Sequence, residues 1–294
     1  MKTLIIKIGA SGDVVRTTVL LRELQGEIWW LTDEYNIDIL PAGIEGLNIF
    51  SIQNVQSGMI HEHFDLIINL EEDGSIAKFA KQLNTHEYVG PYYEGDKLVY
   101  TSSAAPWFDM SLISVYGRDE ANQIKMANRR SYQEILLSMI AKFFVEQPYF
   151  INSVQETKIP VSNTVGIETR VGKRWPNKQW YAYHELADKL KSEGYATRVF
   201  ERRKDLKEYM RDVRQCSMII SGDSLAMHLA LAYQKPCLGI FNCTSPFEIF
   251  DYGLLAKAVS PRLNEFYYDT SFNREAIEAL KLEDIFLLAK KLLS

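Results

Sequence analysis

Long apolar runs, cysteines and familiar metal-binding spacings are all scarce in this chain. No apolar stretch approaches the roughly 18 residues that span a bilayer, and the run from Met1 to Ile8 is too short for a secretory signal. We therefore expect a cytoplasmic protein, and a peripheral contact with the inner membrane surface stays open. The three cysteines lack C-x-x-C spacing, so we expect buried free thiols and no metal site.

Positive charge and dinucleotide motifs are scarce as well. The formal net charge is −5, whereas affinity for nucleic acid depends on a basic face that releases counterions. We therefore expect no nucleic-acid partner. The first predicted strand is followed by Gly9-Ala10-Ser11-Gly12 and not by the G-x-G-x-x-G turn of nicotinamide enzymes. An oxidoreductase is disfavoured on that basis, and we expect no cofactor.

The 294 residues do contain a regular alternation of strand-like and helix-like segments. Apolar runs predict ten strands, at residues 4–8, 28–31, 47–51, 66–70, 86–89, 164–168, 196–200, 218–221, 237–241 and 256–259. Helical spacing is found at residues 20–24, 75–83, 134–145 and 275–293. This order is typical of an α/β fold in which helices cover both faces of parallel sheets.

A composition shift divides the chain into two parts. The polar stretch at residues 152–162 follows Gln147-Pro148 and interrupts the alternation, as linkers between domains often do. We therefore predict two domains, at residues 1–155 and 156–294, and the chain is long enough for both.

Three predicted strand-to-helix turns carry charged side chains. They are the acidic turn Ser11-Gly12-Asp13, the cationic loop Lys173–Pro176 and the turn within Ser221–His228. Unpaired N–H groups at a helix start bind anions, and ligands of open α/β sheets bind at the carboxyl ends of the strands. Two domains facing each other across a cleft would bring these turns to one phosphate site. The local alternatives are helix caps for the acidic and hydroxyl side chains and a solvated loop for the cations.

Together these segments resemble glycosyltransferase family 9, the heptosyltransferase family. Its members combine an S-x-x-G-D-type turn with K-x-W-P and D-[ST]-G-x-x-H motifs, which stand here as Ala10–Asp13, Lys173–Pro176 and Asp223–His228. Lys235-Pro236 and Thr244-Ser245-Pro246 match the segments after the third motif. The resemblance extends over the whole chain and implies the GT-B fold, which has two Rossmann-like domains and a terminal helix near their junction.

Two positions depart from the family pattern. Leu225 stands where members usually carry glycine, and Asn242-Cys243 stands where they usually carry Gly-Pro. Glycine lets the backbone approach a phosphate closely, so a leucine there would narrow the donor site. Both departures leave the identity of the donor open.

The resemblance implies an inverting, metal-independent glycosyltransferase. It would move a heptose or a related sugar from a nucleoside diphosphate sugar, with ADP-heptose as the usual donor, to a bacterial surface-glycan or lipopolysaccharide core acceptor. Asp13 matches the family's proposed base and Lys173 its phosphate-contacting lysine. No D-x-D motif lies in a suitable loop, so cations and N–H groups would stabilise the leaving diphosphate. The other expected donor-binding residues are Ser11, Gly12, Arg174, Glu201, Asp223, Ser224, Leu225 and His228.

The acceptor, a glycolipid or glycan, would lie against the N-terminal half. Because family members often act on phosphorylated acceptors, we expect Arg16, Arg129 and Arg130 to bind it, although a solvated helix face is the alternative for the last two. A second hypothesis is a non-catalytic nucleotide-binding or assembly protein with the same fold. Leu225 is its support, and the presence of both Asp13 and Lys173 argues against it.

Overall fold

The computed structural model describes residues 1–55, 57–152 and 163–293, which form two compact units. Among the described residues the first unit ends at residue 152 and the second begins at residue 163. The predicted boundary between residues 155 and 156 falls outside the described residues. Each unit contains a five-stranded parallel sheet, so the predicted α/β class with two Rossmann-like parts is confirmed.

The sheet of the first unit has the strand order β3-β2-β1-β4-β5, and an antiparallel hairpin, β6-β7, follows it. Its strands are β1 Lys2–Ile6, β2 Glu27–Thr32, β3 Leu47–Ser51, β4 His63–Asn69, β5 Asn84–Val89, β6 Pro91–Glu94 and β7 Lys97–Tyr100. Its helices are α1 Ser11–Thr17, α2 Gly74–Lys81, α3 Ala105–Phe108, α4 Arg118–Ala127 and α5 Tyr132–Met139.

The sheet of the second unit has the strand order β12-β11-β10-β8-β9. Its strands are β8 Thr164–Glu168, β9 Ala196–Val199, β10 Met218–Gly222, β11 Cys237–Phe241 and β12 Leu255–Val259. Its helices are α6 Tyr183–Ser192, α7 Leu206–Gln215, α8 Leu225–Ala232, α9 Arg274–Glu278 and α10 Leu282–Leu293. Each predicted strand thus corresponds to one of these ten parallel strands.

Burial explains why the short apolar runs become strands. Every residue of β10 and β11 is buried, as expected for central strands with helices on both faces. The edge strand β9 is more polar and more exposed. The core of the second unit packs Trp180, Leu186 and Ile220 together, and that of the first packs Leu4, Leu31 and Phe64. Each sheet is therefore packed against a hydrophobic core of its own.

The predicted helix at residues 134–145 is too long. Helix α5 ends at Met139 because Ala141 adopts a left-handed conformation, with φ 54°. The Lys142 N–H then donates to the Leu137 carbonyl and the Ala141 N–H to that of Ser138, which is the pattern of a Schellman motif. As a result Phe143 lies outside the helix and is exposed.

The predicted helix at residues 275–293 is instead two helices, α9 and α10. The indole Nε1 of Trp180 donates to the Leu280 carbonyl oxygen at 2.9 Å, between the two helices. The Leu280 carbonyl is thereby hydrogen-bonded to a core side chain, which explains why the helix is interrupted there. Residues 20–24 also differ, because a 3₁₀ helix, Thr18–Arg22, follows α1 there.

The three cysteines are buried free thiols, as predicted. Burial raises the pKa of Cys216 to about 11 and that of Cys243 to about 12. No helix within the described ranges has the length and apolar character needed to cross a bilayer.

Candidate functional site

The turn between β10 and α8 is the centre of the candidate site in the second unit. Ser224 is the N-cap of α8, and its Oγ accepts a hydrogen bond from the Ala226 N–H at 3.2 Å. The Ser221 and Ser224 hydroxyls lie 2.6 Å apart. Capping therefore belongs to Ser224 and not to Asp223. Leu225 is the first residue of α8 and is half-buried.

Asp223 forms an ion pair that the sequence reasoning missed. Lys178 Nζ donates to Asp223 Oδ2 at 2.8 Å and to the Asp223 carbonyl oxygen at 3.1 Å. His228 Nε2 lies 3.7 Å from Asp223 Oδ1, and its side chain is 4% exposed. Asp223, Ser224 and His228 thus lie close to one another, and Lys178 joins them. The only signal in the sequence was a cation on the same loop as Lys173.

Backbone geometry explains how the loop before α6 reaches this turn. An ideal Cβ on Gly222 would lie 2.9 Å from the Lys178 carbonyl oxygen, so the close approach requires glycine. Asn242 Nδ2 donates to the Gln179 carbonyl oxygen at 2.6 Å. The Asn242 side chain, one of the two departures from the family pattern, therefore ties the loop after β11 to the loop after β8.

The cationic loop itself is exposed. Lys173 and Arg174 are both exposed, and the Arg174 guanidinium lies 5.4 Å from the centre of the Trp175 ring. Trp175 packs edge-to-face on Tyr268, with ring centres 5.2 Å apart. Within the described residues Lys173 has no hydrogen bond or ion pair, which leaves its ammonium group available to a ligand.

The carboxyl end of β8 carries a second charged cluster. Glu168 is buried and accepts hydrogen bonds from Arg170 Nη2 and from the Tyr209 hydroxyl, both at 2.6 Å. Burial, together with the nearby Glu168 carboxylate, raises the pKa of Tyr209 well above its usual value, so the phenol stays protonated and donates. Glu201, the predicted ribose ligand, is exposed.

Two segments after the third motif that match the family pattern, Lys235-Pro236 and Thr244-Ser245-Pro246, contain buried polar residues with a structural role. Lys235 is buried, and its Nζ donates to the Cys216 carbonyl oxygen at 2.6 Å. Burial lowers the pKa of Lys235. Thr244 and Ser245 are buried in the loop after β11. These residues therefore shape the strand end and its loop.

Asp13 lies in the first unit, in the first turn of α1. Ala10 is the N-cap of this helix and contributes no side-chain hydrogen bond. Asp13 Oδ1 lies 2.8 Å from Arg16 Nη2, and 38% of the Asp13 side chain is exposed. An accessible carboxylate after the central strand of a sheet is a reasonable proton acceptor. Ser11 lies beside it and donates to Asn36 Oδ1 at 2.7 Å.

Glu71 holds the turn that precedes α1. Its Oε1 accepts hydrogen bonds from Lys7 Nζ at 2.8 Å, from the Ile8 N–H at 2.7 Å and from the Gly9 N–H at 3.3 Å. Burial alone would lower the pKa of Lys7, but attraction to Glu71 and Asp13 raises it overall. Lys7 is therefore a permanent positive charge within electrostatic reach of Asp13.

Arg16 is the one predicted acceptor residue that lies beside Asp13. It is buried, and its guanidinium lies 4.0 Å from the Tyr132 ring centre and 5.3 Å from that of Trp107. Arg129 donates to the carbonyl oxygens of Met126 and Asn128, and Arg130 donates to that of Glu134. Both are exposed. The structure thus shows them in contact with helix ends.

The two sheets and their charged turns define an α/β protein of the GT-B class, and comparison with known proteins shows which family it resembles. Residues 201–276, which include the Asp223–His228 motif, match the family model "Glycosyltransferase family 9 (heptosyltransferase)". The resemblance of this chain to glycosyltransferase family 9 is therefore confirmed.

A curated relative matches part of this chain, and solved structures have a similar fold. Lipooligosaccharide heptosyltransferase 2 of Haemophilus influenzae is 29% identical over 108 residues, which are 28% of this chain and 30% of the relative. The match thus spans less than a third of that protein's length. ADP-heptose lps heptosyltransferase II of E. coli has a similar fold, with a TM-score of 0.63 at 16% identity over 100% of this chain and 98% of that one. E. coli heptosyltransferase WaaC, solved with ADP-2-deoxy-2-fluoro heptose, has a TM-score of 0.60 at 12% identity over 99% of each chain.

Proposed function

We propose that this protein is an inverting glycosyltransferase that moves a heptose, or a related sugar, from ADP-heptose to a lipopolysaccharide core or other surface-glycan acceptor. One observation carries the proposal. The residues of the three family motifs follow the strands β1, β8 and β10, at the carboxyl ends where open α/β sheets bind their ligands. The donor is taken from WaaC, which was solved with an ADP-heptose analogue.

In the proposed reaction, Asp13 accepts the proton of the acceptor hydroxyl as this oxygen attacks the sugar. Arg16 holds the Asp13 carboxylate in place. Attack on the face opposite the diphosphate inverts the anomeric carbon. The Asp13 side chain is partly exposed, so it can meet an acceptor without a rearrangement of α1.

The leaving diphosphate gains negative charge as the sugar departs. We propose that Lys173, Arg174 and the N–H groups at the start of α8 stabilise this charge, with Ser224 as a further donor and without a metal ion. Positively charged donors aimed at a developing anion act most strongly in a site that excludes water. Glu201 would bind the ribose, and His228 would hold Asp223 in orientation.

The acceptor is proposed to bind the first unit near Arg16, with Arg129 and Arg130 as further anion-binding residues. We place the reaction in the cytoplasm, with the protein in peripheral contact with the inner membrane surface. Arg16 is buried and pairs with Asp13, whereas Arg129 and Arg130 are exposed. We therefore predict that Arg16 acts closest to the reacting groups.

Nucleotide binding and transfer together test the proposed function. A thermal-shift panel of ADP, GDP, UDP and CDP should show selective stabilisation by ADP, about 2.7 kcal/mol at 100 times the dissociation constant. Transfer of heptose from ADP-heptose to a deep-truncated lipopolysaccharide core should then be measured with and without EDTA. Stabilisation by none of the four nucleotides would contradict the proposal, and loss of transfer in EDTA would contradict the metal-independent mechanism.

The second candidate is a non-catalytic nucleotide-binding protein with the same fold. The half-buried Leu225 at the start of α8 favours it, because a side chain there takes space that a phosphate would otherwise use. ADP binding without transfer to any core acceptor would support this second candidate.

A further inference from the structure

The ion pair between Lys178 and Asp223 lies at the end of β10, directly before the N-cap of α8. Lys178 Nζ makes two hydrogen bonds to Asp223, one to Oδ2 and one to the backbone carbonyl. The Lys178 side chain is 20% exposed and that of Asp223 is 16% exposed. Both charges are therefore largely removed from solvent at the turn where the diphosphate is proposed to bind.

A carboxylate is an unfavourable neighbour for an anionic ligand. Asp223 immediately precedes Ser224, whose side chain caps α8, and a negative charge there opposes the attraction that the helix N-terminus exerts on phosphate. An opposite charge within about 4–6 Å commonly changes an ionisation equilibrium by roughly 10- to 1000-fold, and a like charge acts in the other direction. Something must compensate the charge of Asp223 before this turn can bind a diphosphate well.

Lys178 is held in the position where it can do so. It ends the 3₁₀ helix Pro176–Lys178, whose middle residue, Asn177, is fully buried. Asn177 Nδ2 donates to the Ser271 carbonyl oxygen at 2.8 Å, and Asn177 Oδ1 accepts from the Asn273 N–H at 2.7 Å. The adjacent Gln179 carbonyl accepts from Asn242. The backbone on both sides of Lys178 is thus anchored, unlike that of the exposed Lys173.

The loop after β11 gives independent support for a ligand beside this pair. Asn242 Oδ1, Thr244 Oγ1 and Ser245 Oγ are buried and have no hydrogen-bond partner within the described part of the chain. The Cys243 thiol, between them in sequence, is within electrostatic reach of both Lys178 and Asp223. Buried polar atoms are normally hydrogen-bonded, so this loop has unused capacity for partners from outside the chain.

We propose that Lys178 is a positioning residue that neutralises Asp223 and thereby allows the β10–α8 turn to bind the diphosphate of the donor. The proposal rests on the proposed function, because it concerns the same site. Lys173 would contact the phosphates directly, whereas Lys178 would act through Asp223. In the other possible role, Lys178 would leave Asp223 and bind a phosphate itself.

A double-mutant cycle distinguishes the two roles, with ADP affinity measured by calorimetry on the full chain. Lys178→Met should weaken ADP binding roughly 10- to 100-fold, because Asp223 then lacks the positive charge of Lys178 beside the phosphates. Asp223→Asn removes the negative charge, so it should bind ADP more tightly than Lys178→Met does. The double variant, Lys178→Met with Asp223→Asn, should return to within about threefold of Asp223→Asn, since coupled residues are not additive.

Lys290→Met provides the matched control. Lys290 forms an ion pair with Glu193 at 2.7 Å between α10 and the end of α6. Lys290→Met therefore removes a lysine from an ion pair that does not lie at the carboxyl end of a strand. ADP affinity should not change in this variant. A drop as large as that of Lys178→Met would overturn the proposal, because the effect would then follow net charge.

The cycle also separates the failure of this proposal from that of the proposed function. If the double variant binds ADP as weakly as Lys178→Met, Lys178 contacts phosphate directly and the positioning role is wrong, while the proposed function stands. If the parent binds no nucleoside diphosphate, both are overturned. Should Lys178→Met fail to fold, the comparison between Asp223→Asn and the double variant still decides, because their affinities must agree.

Discussion

Replacement of Glu71 by glutamine tests whether the turn before α1 depends on a buried charge. The glutamine side chain would keep the shape and one acceptor oxygen but lose the negative charge that balances Lys7. The side chains of Lys7 and Glu71 are only 9% and 14% exposed, so in the variant the ammonium group would be buried with a neutral partner. We expect Glu71→Gln to lower the free energy of unfolding by about 3 kcal/mol, the low end for breaking a buried pair, because Asp13 still attracts Lys7.

The assay is thermal and urea unfolding of the parent and the variant at pH 7. Because the pKa of Lys7 is raised in the folded state, the contribution of the pair is fully present below the unfolded pKa of lysine and is lost only as the pH rises through the folded value. A loss of about 3 kcal/mol corresponds to a decrease in melting temperature of roughly 6–12 °C for a domain of this size.

Lys7→Met combined with Glu71→Gln is the informative second variant. Removing both charges should recover part of the lost stability, because the penalty comes from an unpaired buried charge and not from missing volume. A change within about 0.5 kcal/mol for Glu71→Gln, the range of ordinary surface substitutions, would refute the reasoning. Because Glu71 holds the turn just before Asp13, it is an alternative base, and retained transfer activity in a folded Glu71→Gln would exclude it.

Substitutions at three further positions test the proposed chemistry. Asp13→Asn should reduce turnover by roughly 10²–10⁴-fold, as for a lost general base, while ADP affinity, measured on the same preparation, should barely change. Lys173→Ala should weaken ADP binding by about 1.5–3 kcal/mol, the value of a hydrogen bond to a charged group, and Lys173→Arg should recover part of it. Leu225→Gly should tighten ADP binding by permitting closer approach to the start of α8, at a cost in stability of up to about 1 kcal/mol.

For each of these variants, one outcome would contradict the prediction. Near-parent turnover of Asp13→Asn would mean that Asp13 is not the base and has only a structural place in the first turn of α1. The base would then have to be sought elsewhere, at Glu72 or Asp109. Parent-like ADP affinity of Lys173→Ala would make Lys173 a surface lysine. If Leu225→Gly loses stability without any gain in affinity, the leucine merely packs, and the second candidate function loses its support.

The sheets could be predicted from the sequence because their strands are short, apolar and separated by turn-forming residues. Residues 47–51, 164–168 and 237–241 agree with β3, β8 and β11 at both ends. The breaks in helices were harder to predict. Neither the left-handed Ala141 nor the hydrogen bond from Trp180 to Leu280 leaves a mark on local periodicity, because each depends on contacts made only in the folded chain.

The residues of the candidate site that lie within sequence motifs could be predicted from the sequence. Ser224 and His228 lie where a strand is followed by a helix, so the spacing of apolar residues identifies their positions. Lys178 could not be found in this way, since its role arises from the approach of one loop to Gly222. Glu71 is a similar case, because its partners Lys7 and Ile8 lie more than 60 positions away.

Because of where the cysteines lie, their reaction with thiol reagents can report on the opening of the second unit. All three thiols lie between residues 216 and 243, and the first unit contains none. With a pKa of about 11, Cys216 is less than roughly 1% thiolate at pH 8, and burial further shields it from reagents. Alkylation of the native chain should therefore track transient opening of the second unit alone, and a nucleotide that binds this unit should slow it in proportion to its occupancy. Mass spectrometry of alkylated peptides would then map local opening at three points of the second unit without any introduced label.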